Sequence, residues 1–136
     1  LSLAERDEHV FGSYRSATSL PRSTDDEKAA RRAAVEQALV QAAEVPLAMI
    51  EVGTAALGCL RRTAEIGTPH ALGDVMTGGF LLQATALGAL ENVEANAASM
   101  KAPELRERFE DAARVGRQEL DAAMAALNKA VDARTS

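Results

Sequence analysis

The first residues that could carry chemistry lie near the start of the chain, where an acid shares a helical stripe with apolar and aromatic residues. Asp7 precedes Val10 and Phe11 by three and four positions, and Tyr14 by seven, which is the spacing of one helix face. We therefore expect Asp7 to lie on a buried face. A carboxyl group in a partly apolar pocket could donate and accept protons. A simpler role, as a first-turn acid or a salt-bridge partner, stays open.

A second group of polar residues, Asp74, Asn92 and Asn96, interrupts an apolar segment. The eighteen residues from Asp74 to Asn92 make five helical turns, so both lie on one stripe, about 27 Å apart. That distance is too long for one small ligand, so an elongated ligand or a two-fold mate crossing this helix would be needed to use both ends. The alternative is structural: Asp74 caps a turn, and the asparagines bond to neighbouring backbone.

Other chemistry is poorly supported by the sequence. The common motifs for dinucleotide binding, phosphate loops, zinc proteases and serine hydrolases are absent. His9 and His70 are too far apart to suggest a metal pair, and we expect Cys59 to be a small buried residue. We predict neither a metal nor a cofactor. The net charge of −5 argues against a nucleic-acid-binding or anionic-membrane surface.

The elements that must position these residues are helices, because the chain is rich in alanine and shows no strand alternation. Residues 1–18 form a first helix. Thr24 and Glu27 make a capping box that begins a second helix, which Pro46 should kink or split in two. A kink there would leave a carbonyl unpaired and can open a pocket. Gly67 is expected to end this helical region.

The following segment, from about Ala71 to Ser99, is the unusual one. It contains no charged residue between Asp74 and Glu91, and a helix that is apolar on all sides is surrounded by protein. Its glycines should allow neighbouring helices to approach closely: Gly73, Gly78, Gly79 and Gly88. Pro103 fits the first position of a last helix.

These patterns predict an all-α fold, a bundle of about five long helices around a buried apolar central helix. So short a chain offers too few helices to cover the central one on every side. A second copy across a two-fold axis would complete the cover, and we therefore predict a homodimer. The chain has no run of eighteen apolar residues and no signal pattern, so we expect neither a membrane span nor secretion.

Five short motifs follow one another along the chain: Asp7-Glu8-His9-Val10-Phe11 with Tyr14, the segment from Leu20-Pro21 to Arg31, Ala42 with Val45-Pro46-Leu47, Gly67 to Asp74, and Asn92-Val93-Glu94-Ala95-Asn96. In the same order, they resemble D-x-x-A-F…Y, L-P-K-x-T-x-E-E-K-x-x-R, A-x-x-V-P-L, G-N-x-x-x-x-S-D and N-V-x-x-N. These are motifs of the cyclodeaminase/methenyltetrahydrofolate cyclohydrolase family, which the chain therefore resembles.

The chain also departs from the family pattern. The family's glycine-rich P-G-G-G-S segment and two further helices have no counterpart here, and Thr68 and Gly73 replace the usual Asn and Ser. The chain does not begin with Met, and we expect it to be part of a longer one. We interpret residues 1–136 as a single all-α domain of this family whose N-terminal part is missing.

The resemblance implies a folate one-carbon enzyme that acts on the carbon bridging N5 and N10 of tetrahydrofolate, either a cyclohydrolase or a cyclodeaminase. It assigns proton transfer to Asp7, and substrate binding to Tyr14, Asp74, Asn92 and Asn96. The substrate would be a small folate, and the protein cytoplasmic. The alternative is a catalytically silent helical dimerisation module of the same fold.

Overall fold

The computed structural model describes residues 2–135, and these form four α-helices and one short 3₁₀ turn. The helices are α1 (Leu3–Thr18), α2 (Asp25–Ile66), α3 (Leu72–Ser99) and α4 (Pro103–Thr135), with the turn at Pro69–Ala71 between α2 and α3. The all-α prediction is confirmed. Leu1, which the sequence places in the first helix, lies outside the described residues.

The ends of the helices follow local sequence signals. The Thr24 hydroxyl accepts a hydrogen bond from the Glu27 N–H, and the Glu27 carboxylate accepts one from the Thr24 N–H, which is the predicted capping box. Gly67 ends α2 and Pro103 opens α4, as expected. Gly67 has extended backbone angles and not the left-handed conformation common at this position.

The sequence predicts about five helices, but α2 runs unbroken through Pro46 for 42 residues. Of the two outcomes that the sequence left open at Pro46, a kink or a split, the split is therefore wrong. Proline removes the N–H that would bond to the Ala42 carbonyl, four residues earlier. That carbonyl accepts a hydrogen bond from the Asn96 side chain of α3 instead, at 3.1 Å, so the loss of one backbone bond does not end the helix.

The core lies among α2, α3 and α4, and α1 packs mainly against α2. Its largest fully buried side chains are aliphatic with one aromatic: Val45, Leu57, Leu90, Val93, Met100, Phe109, Leu120 and Leu127. Gly79 of α3 faces Leu127 of α4 so closely that a Cβ at Gly79 would lie 2.6 Å from the leucine Cδ2. This glycine permits the close helix approach that the sequence suggested.

The C-terminal end of α2 is capped by a side chain from the far end of the sequence. The guanidinium group of Arg134, on the last turn of α4, donates to three backbone carbonyls at 2.6–3.0 Å: those of Ala64, Glu65 and Gly67. Carbonyls in a last helical turn have no partner within their own helix. The charge of Arg134 also suits the negative end of the α2 dipole.

The entry to α4 is held in a comparable way from α2. The carboxylate of Glu36 accepts hydrogen bonds from the backbone N–H groups of Lys101 and Ala102, at 2.9–3.1 Å. These groups stand at the N-terminal end of α4, where a negative charge is favourable. Glu36 therefore fixes the connection that follows α3.

By length and composition alone, α2 could cross a membrane, because it contains an 18-residue window that is apolar enough. A third of that window is buried inside the protein. The core helix of a water-soluble bundle has the same character, and Leu39, Ile50 and Leu57 of α2 belong to the hydrophobic core. The absence of a membrane partner stays a prediction.

The expectation that α3 is covered on every side is not met within one chain. Its buried residues form one face, while Phe80 and Leu81 are 57% and 66% exposed. The exposed face continues through small residues, including Gly73, Ala84 and Gly88. An apolar helix can therefore pack against only two neighbours and leave apolar surface open.

Candidate functional site

A cleft of about 570 Å³ opens between α1, α2 and α3. The side chains that line it come from all three helices: Asp7, Val10, Phe11 and Tyr14 of α1, Leu39, Ala42, Pro46 and Met49 of α2, and Asn92, Asn96 and Ser99 of α3. Four of the five site residues predicted from the sequence meet here, although they lie up to 89 positions apart in the chain.

The wall from α1 has the composition that its spacing predicted. Asp7, Val10, Phe11 and Tyr14 occupy one stripe of the helix, and all four face the cleft. The expectation that Asp7 is buried is wrong for the single chain, because its side chain is exposed. Helix α1 lies at the side of the bundle, and Ala17 is its only described residue that is fully buried.

The wall from α3 consists of Asn92, Asn96 and Ser99, three and four residues apart on one helix face. The side chain of Asn96 is half-buried and donates from Nδ2 to the Ala42 carbonyl. Asn92 is exposed and donates from Nδ2 to the carbonyl of Gly88 in its own helix, at 3.2 Å. Both asparagines therefore make the backbone bonds that the structural alternative describes.

The bond between Asn96 and Ala42 also fixes which atom of the amide is free. A backbone carbonyl can only accept, so Nδ2 must be the atom that faces it. Among the described residues, no side chain or backbone group hydrogen-bonds to the Oδ1 atom of Asn96. The cleft therefore contains an amide oxygen, Oδ1 of Asn96, whose direction is fixed. Pro46 is the cause, because it has no N–H to bond to the Ala42 carbonyl, and that carbonyl holds Nδ2 of Asn96 instead.

Asp74 is the predicted site residue that does not line the cleft. It lies in the first turn of α3 and is exposed. The eighteen residues between it and Asn92 span about 27 Å of helix. The sequence analysis predicted that this distance is too long for one small ligand, and within one chain Asp74 does lie outside the cleft.

Sequence reasoning missed Leu39, Met49 and Ser99, which also line the cleft. Ser99 follows Asn96 by three positions and Asn92 by seven, so the same helical spacing could have found it. Met49 follows Pro46 by three. The two apolar residues carry no chemical signal of their own, and only the packing of α1 on α2 brings them to the cleft.

The remaining reactive side chains do not form a second centre. His9 is exposed and lies 3.3 Å from the hydroxyl of Ser13. Cys59 is exposed, which corrects the prediction that it is buried. Within residues 2–135, no three His, Cys, Asp or Glu side chains are grouped so that they could hold a metal ion.

The chemistry available in the cleft is proton transfer and hydrogen bonding beside an apolar surface. Asp7 can take or give a proton, and the Tyr14 hydroxyl and the two amides can bond to a polar ligand. Val10, Phe11 and Met49 supply flat or flexible apolar contact of the kind that holds a ring system. Such a cleft suits a planar heterocycle with polar edges and a proton-transfer step.

Comparisons of the sequence with protein families and with known proteins point to the same family. Residues 1–115 match the family described as formiminotransferase-cyclodeaminase. The formimidoyltransferase-cyclodeaminase of Gallus gallus is 31% identical over 96 residues, and the methenyltetrahydrofolate cyclohydrolase of Methylorubrum extorquens is 34% identical over 91. These alignments cover 71% and 67% of the chain, but only 18% and 44% of the respective relatives.

A solved structure supports the fold over nearly the whole chain. The crystal structure of formiminotetrahydrofolate cyclodeaminase from Thermotoga maritima superposes with a TM-score of 0.79 at 20% sequence identity. The match covers 98% of this chain and 63% of that protein. The chain therefore adopts the fold of a large part of that protein.

Proposed function

Since the chain belongs to the formiminotransferase-cyclodeaminase family, we propose that it forms part of an enzyme acting on a tetrahydrofolate derivative, at the carbon between N5 and N10. The two activities in the relatives' names, cyclodeaminase and methenyltetrahydrofolate cyclohydrolase, share that carbon. The single observation that carries the proposal is the cleft in which Asp7, Tyr14, Asn92 and Asn96 meet beside an apolar wall.

The proposed chemistry matches the side chains of the cleft. In a cyclohydrolase, water adds to the bridging carbon, and the C–N5 bond breaks to leave 10-formyltetrahydrofolate. In a cyclodeaminase, N10 adds to the formimino carbon, and ammonia leaves to give 5,10-methenyltetrahydrofolate. Both pass through a tetrahedral carbon and need a group that moves a proton to or from an adjacent nitrogen or water. Asp7 is the carboxyl group in the cleft.

The other cleft residues are proposed to hold the substrate. The Oδ1 atom of Asn96, with its direction set by the bond to Ala42, can accept from an N–H of the pterin ring. Tyr14 and Asn92 can bond to the polar edge of the ring or order the attacking water. Phe11, which is 64% exposed, offers a flat apolar surface on the same wall.

A homodimer and a cytoplasmic location are further parts of the proposal. The exposed apolar face of α3, with Phe80 and Leu81, is of the kind that marks a protein interface. A second copy packed there would remove this surface from water. It is also the arrangement in which Asp74 of one chain could approach the cleft of the other.

The experiment that tests the proposal uses the purified full-length protein and two substrates. The absorbance of 5,10-methenyltetrahydrofolate is followed over time against the rate in buffer alone, and ammonia release is measured from 5-formiminotetrahydrofolate. Acceleration with either substrate supports the proposal and identifies which activity is present. If neither substrate reacts faster than in buffer, the enzymatic proposal fails, and a silent dimerisation module becomes the better interpretation.

A further inference from the structure

Helix α1 carries the carboxyl group of the cleft but has little packing of its own. Its only fully buried described residue, Ala17, is next to its last residue, and Asp7 and Phe11 are exposed. The cleft opens along one side of α1, and a second groove, between α1 and α2, is lined by His9, Ser13 and Ser16 of α1, among others. Leu3, Val10 and Ser13 are half-buried, so α1 is partly packed along its length and fully packed only near its last residue.

One long-range polar contact fixes that end. Arg31, in the second turn of α2, donates from Nε and Nη2 to the backbone carbonyl of Thr18, at 3.2 and 3.1 Å. Thr18 is the last residue of α1, where carbonyls lack partners within the helix and a positive charge is favourable. Arg31 is half-buried, while the next residue, Arg32, is exposed.

We propose that Arg31 is a positioning residue for Asp7, a role that rests on the proposed function. Asp7 lies eleven residues before Thr18, which is about 16 Å along the helix. If α1 tilted by about 10° around its C-terminal end, Asp7 would move by roughly 3 Å and Tyr14 by only about 1 Å. A displacement of about 1 Å at a reacting group can lower a rate by up to about 10²-fold.

The test compares Arg31→Met and Arg31→Lys with Arg32→Met as the matched control, in the full-length protein. Arg31→Met keeps an unbranched side chain for packing but removes both donors. We expect kcat to fall by about 10-fold or more with a smaller change in KM, since Asp7 moves further than Tyr14. Arg31→Lys should recover part of the loss, because a single ammonium group can still bond to the Thr18 carbonyl. The control should behave as the wild type.

Two further measurements separate positioning from general stability. In an Asp7→Asn background, Arg31→Met should cause no additional loss of kcat, because the residue acts through Asp7. Hydrogen exchange should become faster in the amides of α1 and stay unchanged in α3 and α4.

The possible contrary results are distinct. If Arg31→Met keeps normal kcat, multiplies the loss caused by Asp7→Asn, or speeds exchange in every helix, the positioning role is wrong while the proposed function stands. If Asp7→Asn itself turns over normally, the role assigned to Asp7 fails, and the positioning proposal fails with it. Wild-type protein that accelerates neither reaction overturns both proposals.

Discussion

The hydrogen bond between Asn96 and Ala42 makes a prediction whose magnitude follows from the structure. Asn96→Ala removes the donor and leaves a half-buried carbonyl without a partner, since Pro46 has no N–H to offer. An intramolecular hydrogen bond of this kind contributes about 1 kcal/mol, and an unsatisfied buried group costs about 1–3 kcal/mol. Because Asn96 is only partly buried, we expect the lower end, a loss of about 1–2 kcal/mol in the free energy of unfolding.

The same structure predicts how a second substitution changes that cost. Pro46→Ala restores the backbone N–H, which can then bond to the Ala42 carbonyl within α2. Proline in a helix interior costs about 3 kcal/mol relative to alanine, whereas losing two buried methylene groups of the ring costs roughly 1.6 kcal/mol. Pro46→Ala alone should therefore stabilise the protein by about 1 kcal/mol. In this background, the cost of Asn96→Ala should shrink by about 1 kcal/mol.

Urea unfolding of the four proteins in this double-mutant cycle, read from midpoints at unchanged m-values, measures the coupling directly. Asn92→Ala is the matched control, because Asn92 is exposed and bonds within its own helix; its effect should stay within about 0.5 kcal/mol. A coupling within about 0.3 kcal/mol of zero would show that the Ala42 carbonyl does not depend on Asn96, and the reasoning about Pro46 would be refuted.

Three other predictions address the site, the interface and the fold. Asp7→Asn should lower kcat by at least about 10²-fold with little change in folate affinity. The melting temperature should also change little, because Asp7 is exposed. Normal turnover in a steady-state assay would contradict the role of Asp7. Gly88→Leu should weaken a homodimer by more than about 1 kcal/mol in sedimentation equilibrium without destabilising the single chain, since a Cβ at Gly88 meets nothing within 4 Å. Gly79→Leu, by contrast, should destabilise the chain itself. A wild-type protein that sediments as a monomer at micromolar concentration would count against the dimer. Arg134→Met should lower the free energy of unfolding by about 1–3 kcal/mol, because it loses the hydrogen bonds to the carbonyls of Ala64, Glu65 and Gly67. Urea unfolding measures this loss, with Lys129→Met, an exposed residue on the same helix, as the control.

The sequence by itself determined where most helices begin and end and which residues share a face. The capping box of Thr24 and Glu27, Gly67 and Pro103 act through groups within a few residues, so their effects can be predicted without knowing the fold. The spacing of the four cleft residues on α1 is equally local, and the structure confirms it. Ser2 and Glu5 form a second capping box of the same pattern, at the start of α1.

The tertiary structure decided what each face contacts, because burial depends on which helix lies opposite. Helical periodicity placed Asp7 on an apolar stripe, but α1 lies at the side of the bundle and leaves it exposed. The hydropathy of α3 could not show that its neighbours cover only one face. Pro46 was expected to kink or split α2; the helix is not split, and the Ala42 carbonyl that loses its backbone donor accepts a hydrogen bond from Asn96, 54 positions away. A partner at that separation is fixed only when α2 and α3 pack, since no rule of local spacing connects the two residues.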